Sequence, residues 1–240
     1  MGELTDRRGR KKAQTRELIR SVARRLFGER GFDAVTIADI ARESDVAVQT
    51  VFNHFATKEE LFFDGRTPWV GSLGESVRRR EPSVAPLSAL RAHLVDTVGE
   101  LTSSHRCPDR RQYIATLEAS DALRTYEREL VHQAELNLRE ALLDAWATDP
   151  DVAPVDPESA APVIAAIWVA AGRSLIVMRR PQLTDGADPD RAAETARSMA
   201  DRVLRQLERG ASAVHGPVRS AADATHRFDT GWPETVRRAG

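Results

Sequence analysis

Apolar residues recur through this chain at the spacing of a helical turn. Between Lys11 and Arg30, Leu18, Ile19, Val22, Ala23, Leu26 and Phe27 share one helix face, and Gly31 follows as a C-terminal stop. Thr36 with Asp39 starts a second, short helix running to Ser44, with Ile37, Ile40 and Ala41 as its inward stripe. Ser44-Asp45-Val46 interrupts the pattern. A third short helix runs from about Ala47 to Phe55. Thr57 and Glu60 then make a capping box for a fourth, in which Leu61 and Phe62 are apolar. Gly65 and Pro68 mark a break, and Pro82 and Pro86 another. Leu87–Leu101 is amphipathic through Leu90, Leu94 and Val98, and Pro108–Ala119 is a shorter helix. Asp121–Ala147 reads as one long helix, roughly 40 Å at 1.5 Å per residue. Asp149, Pro150 and Pro154 end it. Asp156-Pro157 and Asp188-Pro189 each set a capping aspartate before proline at the first helical position. They start helices at Pro157–Arg180 and Pro189–Arg209, the last closed by Gly210. No stretch alternates as a strand does, and no internal repeat is visible. The expected fold class is therefore all-α. Residues 211–240 show weak periodicity and read as a flexible C-terminal tail.

Composition narrows the class. With 240 residues, 41% hydrophobic and 30% charged, the chain can bury a core of its own and is not disordered throughout. Its formal net charge of −1 makes it neither polycation nor polyanion. The single cysteine, Cys107, excludes an internal disulfide and a multi-cysteine zinc site, and agrees with a reducing, cytoplasmic setting. The N-terminus is charged and carries no secretory signal pattern. Ala160–Met178 is apolar apart from Pro162, Arg173 and Ser174, near the minimum length for a membrane span. Nothing else in the chain suits a membrane, so it reads as a helix buried between others. No nucleophile elbow, phosphate loop, dinucleotide fingerprint or zinc-protease motif is present, so no enzyme is expected. The histidines (His54, His93, His105, His132, His215, His226) lack ligand spacing, and Asp185, Asp188 and Asp190 do not fit a calcium loop. No metal and no cofactor are expected.

Charge is concentrated at one end. Arg7, Arg8, Arg10, Lys11, Lys12, Arg16, Arg20, Arg24 and Arg25 place nine basic residues between positions 7 and 25, opposed only by Glu17. A basic arm running into a helix suits a phosphate backbone, because each neutralised phosphate releases counterions. A solvated helix face would have the same composition. The helices at Lys11–Arg30, Thr36–Ser44 and Ala47–Phe55 are the parts of a helix-turn-helix. A turn of about three residues forces a steep crossing, so the third helix protrudes. Val46, Val51 and Phe55 face inward onto Ile37, Ile40, Leu26 and Phe27. Val48, Gln49, Phe52 and Asn53 share the other face. In a groove-reading helix the N-terminal residues meet base edges. Gln49 suits adenine N6 and N7, and Val48 or Thr50 suits a thymine methyl.

Phe27-Gly-Glu-Arg-Gly-Phe-Asp-Ala-Val-Thr36-Ile-Ala-Asp-Ile-Ala41, followed by Thr50-Val-Phe-Asn-His-Phe55-Ala-Thr-Lys-Glu-Glu-Leu61, resembles the DNA-binding domain of the TetR family of one-component transcriptional regulators. The resemblance runs from about Ala13 to Phe63, a fifth of the chain. It implies that Thr36 holds a phosphate at the start of helix two, and that Val48, Gln49 and Thr50 face bases or the adjoining backbone. It places His54 near phosphate and Lys58 on a phosphate at the start of helix four. Asn53 shares the exposed face, and Arg10 and Lys11 lie in the basic arm. Three departures stand out. Phe52 replaces the family's usual tyrosine and loses a hydroxyl. Asp45 replaces the usual turn glycine, a position an aspartate tolerates. Ala47 replaces a capping serine, at a cost of about 1 kcal/mol.

The resemblance further implies a larger helical effector-binding and dimerisation domain. The expected division is 1–57 for the arm and helix-turn-helix, 58–210 for the second domain and 211–240 for the tail. Small residues enrich the last two helices: Ala161, Ala165, Ala166, Ala170, Ala171 and Gly172, then Ala192, Ala193, Ala196 and Ala200, with Met199, Val203, Leu204 and Leu207 extending the stripe. Paired across two chains they would make a four-helix homodimer interface; within one chain they would make core. Trp69, His93, Leu94, Tyr113, Leu117, Tyr126, His132 and Trp168 are the candidate pocket for a small organic effector. The expected function is a ligand-responsive repressor that binds a pseudo-palindromic double-stranded DNA operator as a homodimer. The alternatives are an activator of the same architecture, and a helical small-molecule-binding protein or enzyme with a vestigial DNA-binding domain.

Overall fold

The computed structural model describes residues 2–103, 107–177 and 189–213. Among them the regular structure is helical, as expected. In chain order the helices are α1 (Gly2–Arg30), α2 (Ile37–Glu43), α3 (Val48–Phe52), α4 (Lys58–Phe63), α5 (Trp69–Arg78), α6 (Pro86–Ser103), α7 (Pro108–Ala119), α8 (Asp121–Thr148), α9 (Pro157–Val177) and α10 (Pro189–Ala213), with a 3-10 turn at Pro150–Val152. α1 runs back through the basic arm to Gly2, so the arm is helical. The Asp156 carboxylate caps α9 by accepting from Ser159 N–H at 3.2 Å. The expected cap at Asp188, the stretch to Arg180, His105, Asp185 and the tail beyond residue 213 lie outside the described residues.

Two elements depart from the hydrophobic pattern. α5 falls where only breaks are expected. Gly71, Ser72 and Gly74 dilute its signal, although Trp69, Val70, Leu73 and Val77 follow helical spacing. Gly74 serves packing, since a Cβ there would lie 2.9 Å from the main-chain oxygen of Asn137 on α8. The two helices meet backbone to backbone. α10 continues through Gly210 to Ala213 instead of stopping. A helical glycine costs about 1 kcal/mol against alanine but does not by itself end a helix.

The side chains bury into two clusters. The first gathers Ile19, Leu26 and Phe27 of α1, Ile40 of α2, Val51 of α3 with Phe55 just beyond it, and Leu61, Phe62 and Phe63 of α4. Leu117 of α7 and Leu123 and Leu130 of α8 complete it. The second gathers Leu73 and Val77 of α5, Leu90, Leu94 and Val98 of α6, Leu138, Leu142 and Trp146 of α8, Trp168 of α9 and Leu204 of α10. α8, about 42 Å long for its 28 residues, therefore serves both cores along one stripe. Trp69 and Val70 touch both clusters. The expected boundary between residues 57 and 58 falls at the start of α4, whose apolar residues lie in the first cluster.

Among the described residues α9 is long and apolar enough to cross a membrane, but its Ala161, Ala165, Trp168, Val169, Gly172 and Leu175 are buried in the second core. Ala193, Ala196 and Ala200 of α10 are buried there or beside it. Much of the small-residue stripe is thus spent inside the chain: at Gly172 a Cβ would sit 2.8 Å from Leu94 Cδ2. Val163 and Ile167 of α9 and Val203 of α10 remain exposed.

Neighbouring leucines of α8 test the two-core description. Leu138→Ala, at a fully buried position, is expected to cost about 2–5 kcal/mol in urea unfolding. Leu136→Ala, at an exposed one, is expected to stay within about 0.5 kcal/mol of the parent. Equal effects would contradict the assignment.

Candidate nucleic-acid interface

Local chemistry fixes the α2–α3 corner. Thr36 Oγ1 accepts from Asp39 N–H at 3.1 Å, and the Asp39 carboxylate accepts from Thr36 N–H at 3.1 Å and from the Thr36 hydroxyl at 2.6 Å. The Thr36 hydroxyl, its N–H and Arg42 together hold the Asp39 pKa down at about 2. α2 ends at Ser44. Asp45 then adopts φ 52°, the left-handed conformation expected of this residue, and Val46 N–H returns to Ala41 O at 3.0 Å. Ala47 begins α3 without a side-chain cap. Val51 and Phe55 are buried against α1 and α2, which turns the opposite face of α3 outward.

That outward face carries Val48 at 43% exposure and Phe52 at 46%, with Gln49 and Asn53 also exposed. Gln49 Nε2 donates to Asn53 Oδ1 at 3.2 Å, joining the two amides into one surface. Thr50 is half-buried. Phe52 therefore projects from the domain instead of filling its core. Arg10 and Lys11 lie in the exposed stretch of α1. His54 is half-buried, with its Nδ1 enclosed and without an acceptor or donor partner. Burial, then Lys12 and Arg16, lower its pKa.

Lys58 is occupied. Its Nζ donates to Phe32 O and Val35 O, both at 3.0 Å, and lies 4.1 Å from the Phe32 ring centroid. It straps the start of α4 to the loop before α2. At the same helix start, Thr57 Oγ1 accepts from Glu60 N–H, while the Glu60 carboxylate reaches one residue further back, to Ala56 N–H at 2.7 Å.

The basic run of α1 divides into two parts. Arg16, Arg20 and Arg24, one turn apart, converge on Asp64 after α4. Arg16 lies 2.6 Å and Arg20 3.4 Å from its carboxylate, and Arg24 donates to its main-chain oxygen at 3.0 Å. Arg16 also stacks over Phe55 at 4.1 Å and donates to His54 O. Arg25 pairs with Glu29 and Glu43. Arg16, Arg20 and Arg24 thus hold α1 to the end of α4, and Arg25 ties it to α2. The exposed basic stretch is residues 7–12. The spacing of the three arginines was visible in the sequence, but their partner lies 40 to 48 residues away.

The eight candidate pocket residues do not form one site. Tyr113, Leu117 and Tyr126 pack in or on the first core, with Tyr113 stacked on Phe62 at 5.0 Å and Tyr126 on Phe63 at 5.3 Å. α7 and the start of α8 fold back onto α4, which removes them from the second core. Leu94 and Trp168 belong to the second core, and Trp69 packs against both. His93 Nε2 lies 2.9 Å from Ser72 Oγ across α5 and α6, and burial lowers its pKa. The His132 side chain is 60% exposed, 3.7 Å from Glu135, and cannot line an interior pocket.

A capping box at Thr36, a left-handed turn at Asp45 and a protruding third helix define a helix-turn-helix. Residues 19–64 match the family model described as bacterial regulatory proteins, tetR family. The chain carries the TetR-family DNA-binding domain. No curated protein matches in sequence. Among solved structures, NalD of Pseudomonas aeruginosa, the secondary repressor of the MexAB-OprM multidrug efflux pump, shares 24% identity at a TM-score of 0.52, covering 79% of this chain and 96% of that one. GusR of Salmonella enterica shares 23% at 0.50, covering 83% and 96%. A SmeT–triclosan complex shares 20% at 0.53, covering 79% and 91%. These likenesses show the fold alone, shared over about four-fifths of this chain.

Two outcomes follow for the corner. Thr36→Ala should cost about 1 kcal/mol in urea unfolding and Thr36→Ser much less, because the cap needs only the hydroxyl; equal losses would contradict the cap's role. The His54 pKa is lower folded than unfolded, so below its ordinary 6.5 the unfolded chain takes a proton that the folded chain refuses. Stability should fall as pH drops through that window, and His54→Gln should flatten the fall. An unchanged profile in the variant would contradict the assignment.

Proposed function

We propose that this chain is a cytoplasmic, homodimeric transcriptional repressor that is released from its operator by a small organic effector. The carrying observation is α3. One face is sealed into the core by Val51, and the other presents two exposed apolar side chains beside a linked amide pair. That combination suits the major groove. Gln49 and Asn53 match adenine edges, and Val48, Thr50 and Phe52 match thymine methyls or the adjoining sugar. Arg10, Lys11, Thr36 and His54 border the phosphates. Lys58 braces the loop that presents Thr36.

The homodimer is supported by Val163, Ile167 and Val203, exposed on α9 and α10. A two-fold dimer places its recognition helices about 34–36 Å apart, one turn of DNA, on a pseudo-palindrome. The effector belongs in the second domain beside Trp69, His93, Leu94 and Trp168, where the His93–Ser72 pair supplies polarity against apolar walls. SmeT, of the same fold, binds triclosan, and NalD is a repressor. Ligand control is then a population shift, limited by the effector's differential affinity for the two states.

The test is binding to duplex DNA from upstream of the chain's own gene, as a salt series. Gln49→Ala should lose about 1–3 kcal/mol of discrimination between specific and random sequence. Lys11→Ala should weaken all sequences evenly and lower the salt slope by about one. Weak, sequence-blind binding by the parent would favour the vestigial-domain reading, and silence of the regulated gene after deletion would favour an activator.

A further inference from the structure

Away from the α3 face, arginines gather where α1, the α4–α5 turn and α7 meet. Gly65, at φ 68°, turns the chain out of α4, and Arg20 and Arg24 lie over it. Arg20 Nη1 is 2.8 Å and Arg24 Nη2 3.6 Å from the place a Cβ would take. Arg66 follows. Its guanidinium carbon lies 4.7 Å from the Tyr113 ring centroid on α7 and 5.7 Å from that of Phe62.

The acids facing this cluster are Glu17, Asp64 and Asp109, and they are unevenly shared. Glu17 pairs with Arg20, and the Asp64 carboxylate is taken by Arg16 and Arg20. Arg24 reaches only the main-chain oxygen of Asp64, and its Nε is buried without an acceptor. Arg66 is half-buried and meets no acceptor among the described residues. Asp109, exposed on the first turn of α7, acts on both guanidiniums through space but is in ion-pair contact with neither. Burial, then Arg24, lower the Arg66 pKa.

A guanidinium fork presents five N–H donors, and leaving one unsatisfied away from water, as Arg24 Nε is, is costly. The same fork matches the paired oxygens of a carboxylate or phosphate, and stacking on an aromatic ring holds it in one orientation. We propose that Arg24 and Arg66 form a binding site for a small oxyanion, a carboxylate or phosphate group, at the junction of α1, the α4–α5 turn and Tyr113. The site is separate from the effector position beside His93 and does not depend on α3 reading DNA. Its occupant ties the helix-turn-helix to α7 through the residue that already stacks on both Phe62 and Tyr113.

The test is calorimetric titration of the full chain with inorganic phosphate and, in parallel, with acetate, against chloride at matched ionic strength. At least one oxyanion should bind saturably at one site per chain, and which one binds identifies the group. Arg66→Ala should weaken it about tenfold or more, the loss of charge-assisted hydrogen bonds. Arg66→Lys keeps the stem and charge but not the fork, and should weaken it less. Arg24→Gln, outside the ring stack, guards against an Arg66 variant that fails to fold, and circular dichroism checks each protein. Saturable binding weakened in folded Arg24→Gln and, to a smaller degree than in Arg66→Ala, in folded Arg66→Lys supports the site. No saturable binding beyond chloride, or binding unchanged in these variants, overturns it.

Discussion

Phe62 and Phe63 stand side by side at the end of α4, both buried, and stack on Tyr113 of α7 and Tyr126 of α8. Each aromatic pair adds about 0.5–1.5 kcal/mol beyond the area it buries. The geometric consequence is larger. The DNA-binding domain is joined to the rest through packed rings, with no loose linker between them, and α8 carries the same apolar stripe on into the second core. Interiors packed this closely transmit displacement instead of absorbing it. Any shift of α7 or the first turns of α8 must therefore be accommodated by α4.

From α4 the connection continues by charge. Lys58 at its start holds the loop before α2, and Asp64 after its end holds three arginines of α1. A six-residue helix is too short to be stable alone, so α4 is defined by what grips its ends. The same arrangement explains how a chain of net charge −1 carries a basic surface where one is needed. Arg16, Arg20 and Arg25 of α1 are paired with carboxylates within the fold, and the cations of residues 7–12 stay exposed. Local charge, and not the sum over the chain, is what a phosphate backbone meets.

The sequence made the corner of the helix-turn-helix legible because its signals are local. The Thr36–Asp39 cap, the left-handed tolerance of Asp45 and the inward spacing of Val51 and Phe55 act within a few residues of one another. Helix ends marked by aspartate and proline were legible for the same reason. What escaped is tertiary. α5 is obscured by Gly71 and Gly74, and the second of these is explained only by the close approach of Asn137 on α8. The arginine stripe of α1 reads as a phosphate-binding face until Asp64 is brought to it. Tyr113 and Tyr126 suit a pocket wall by composition, and only the return of α7 onto α4 shows them to be a joint between domains. Small residues on α9 and α10 are equally apt for core and for a partner chain, and burial divides them.

The central claim is that α3 reads base edges from a two-fold assembly. Its most direct test is selection of bound duplexes from a random DNA library by the purified full chain, followed by sequencing. The account predicts an enriched, two-fold-symmetric motif whose half-sites lie one helical turn apart, about 34–36 Å or a multiple of it, each with adenine or thymine at its most constrained positions. Absence of enrichment, or a single asymmetric element with no second half-site, would contradict it.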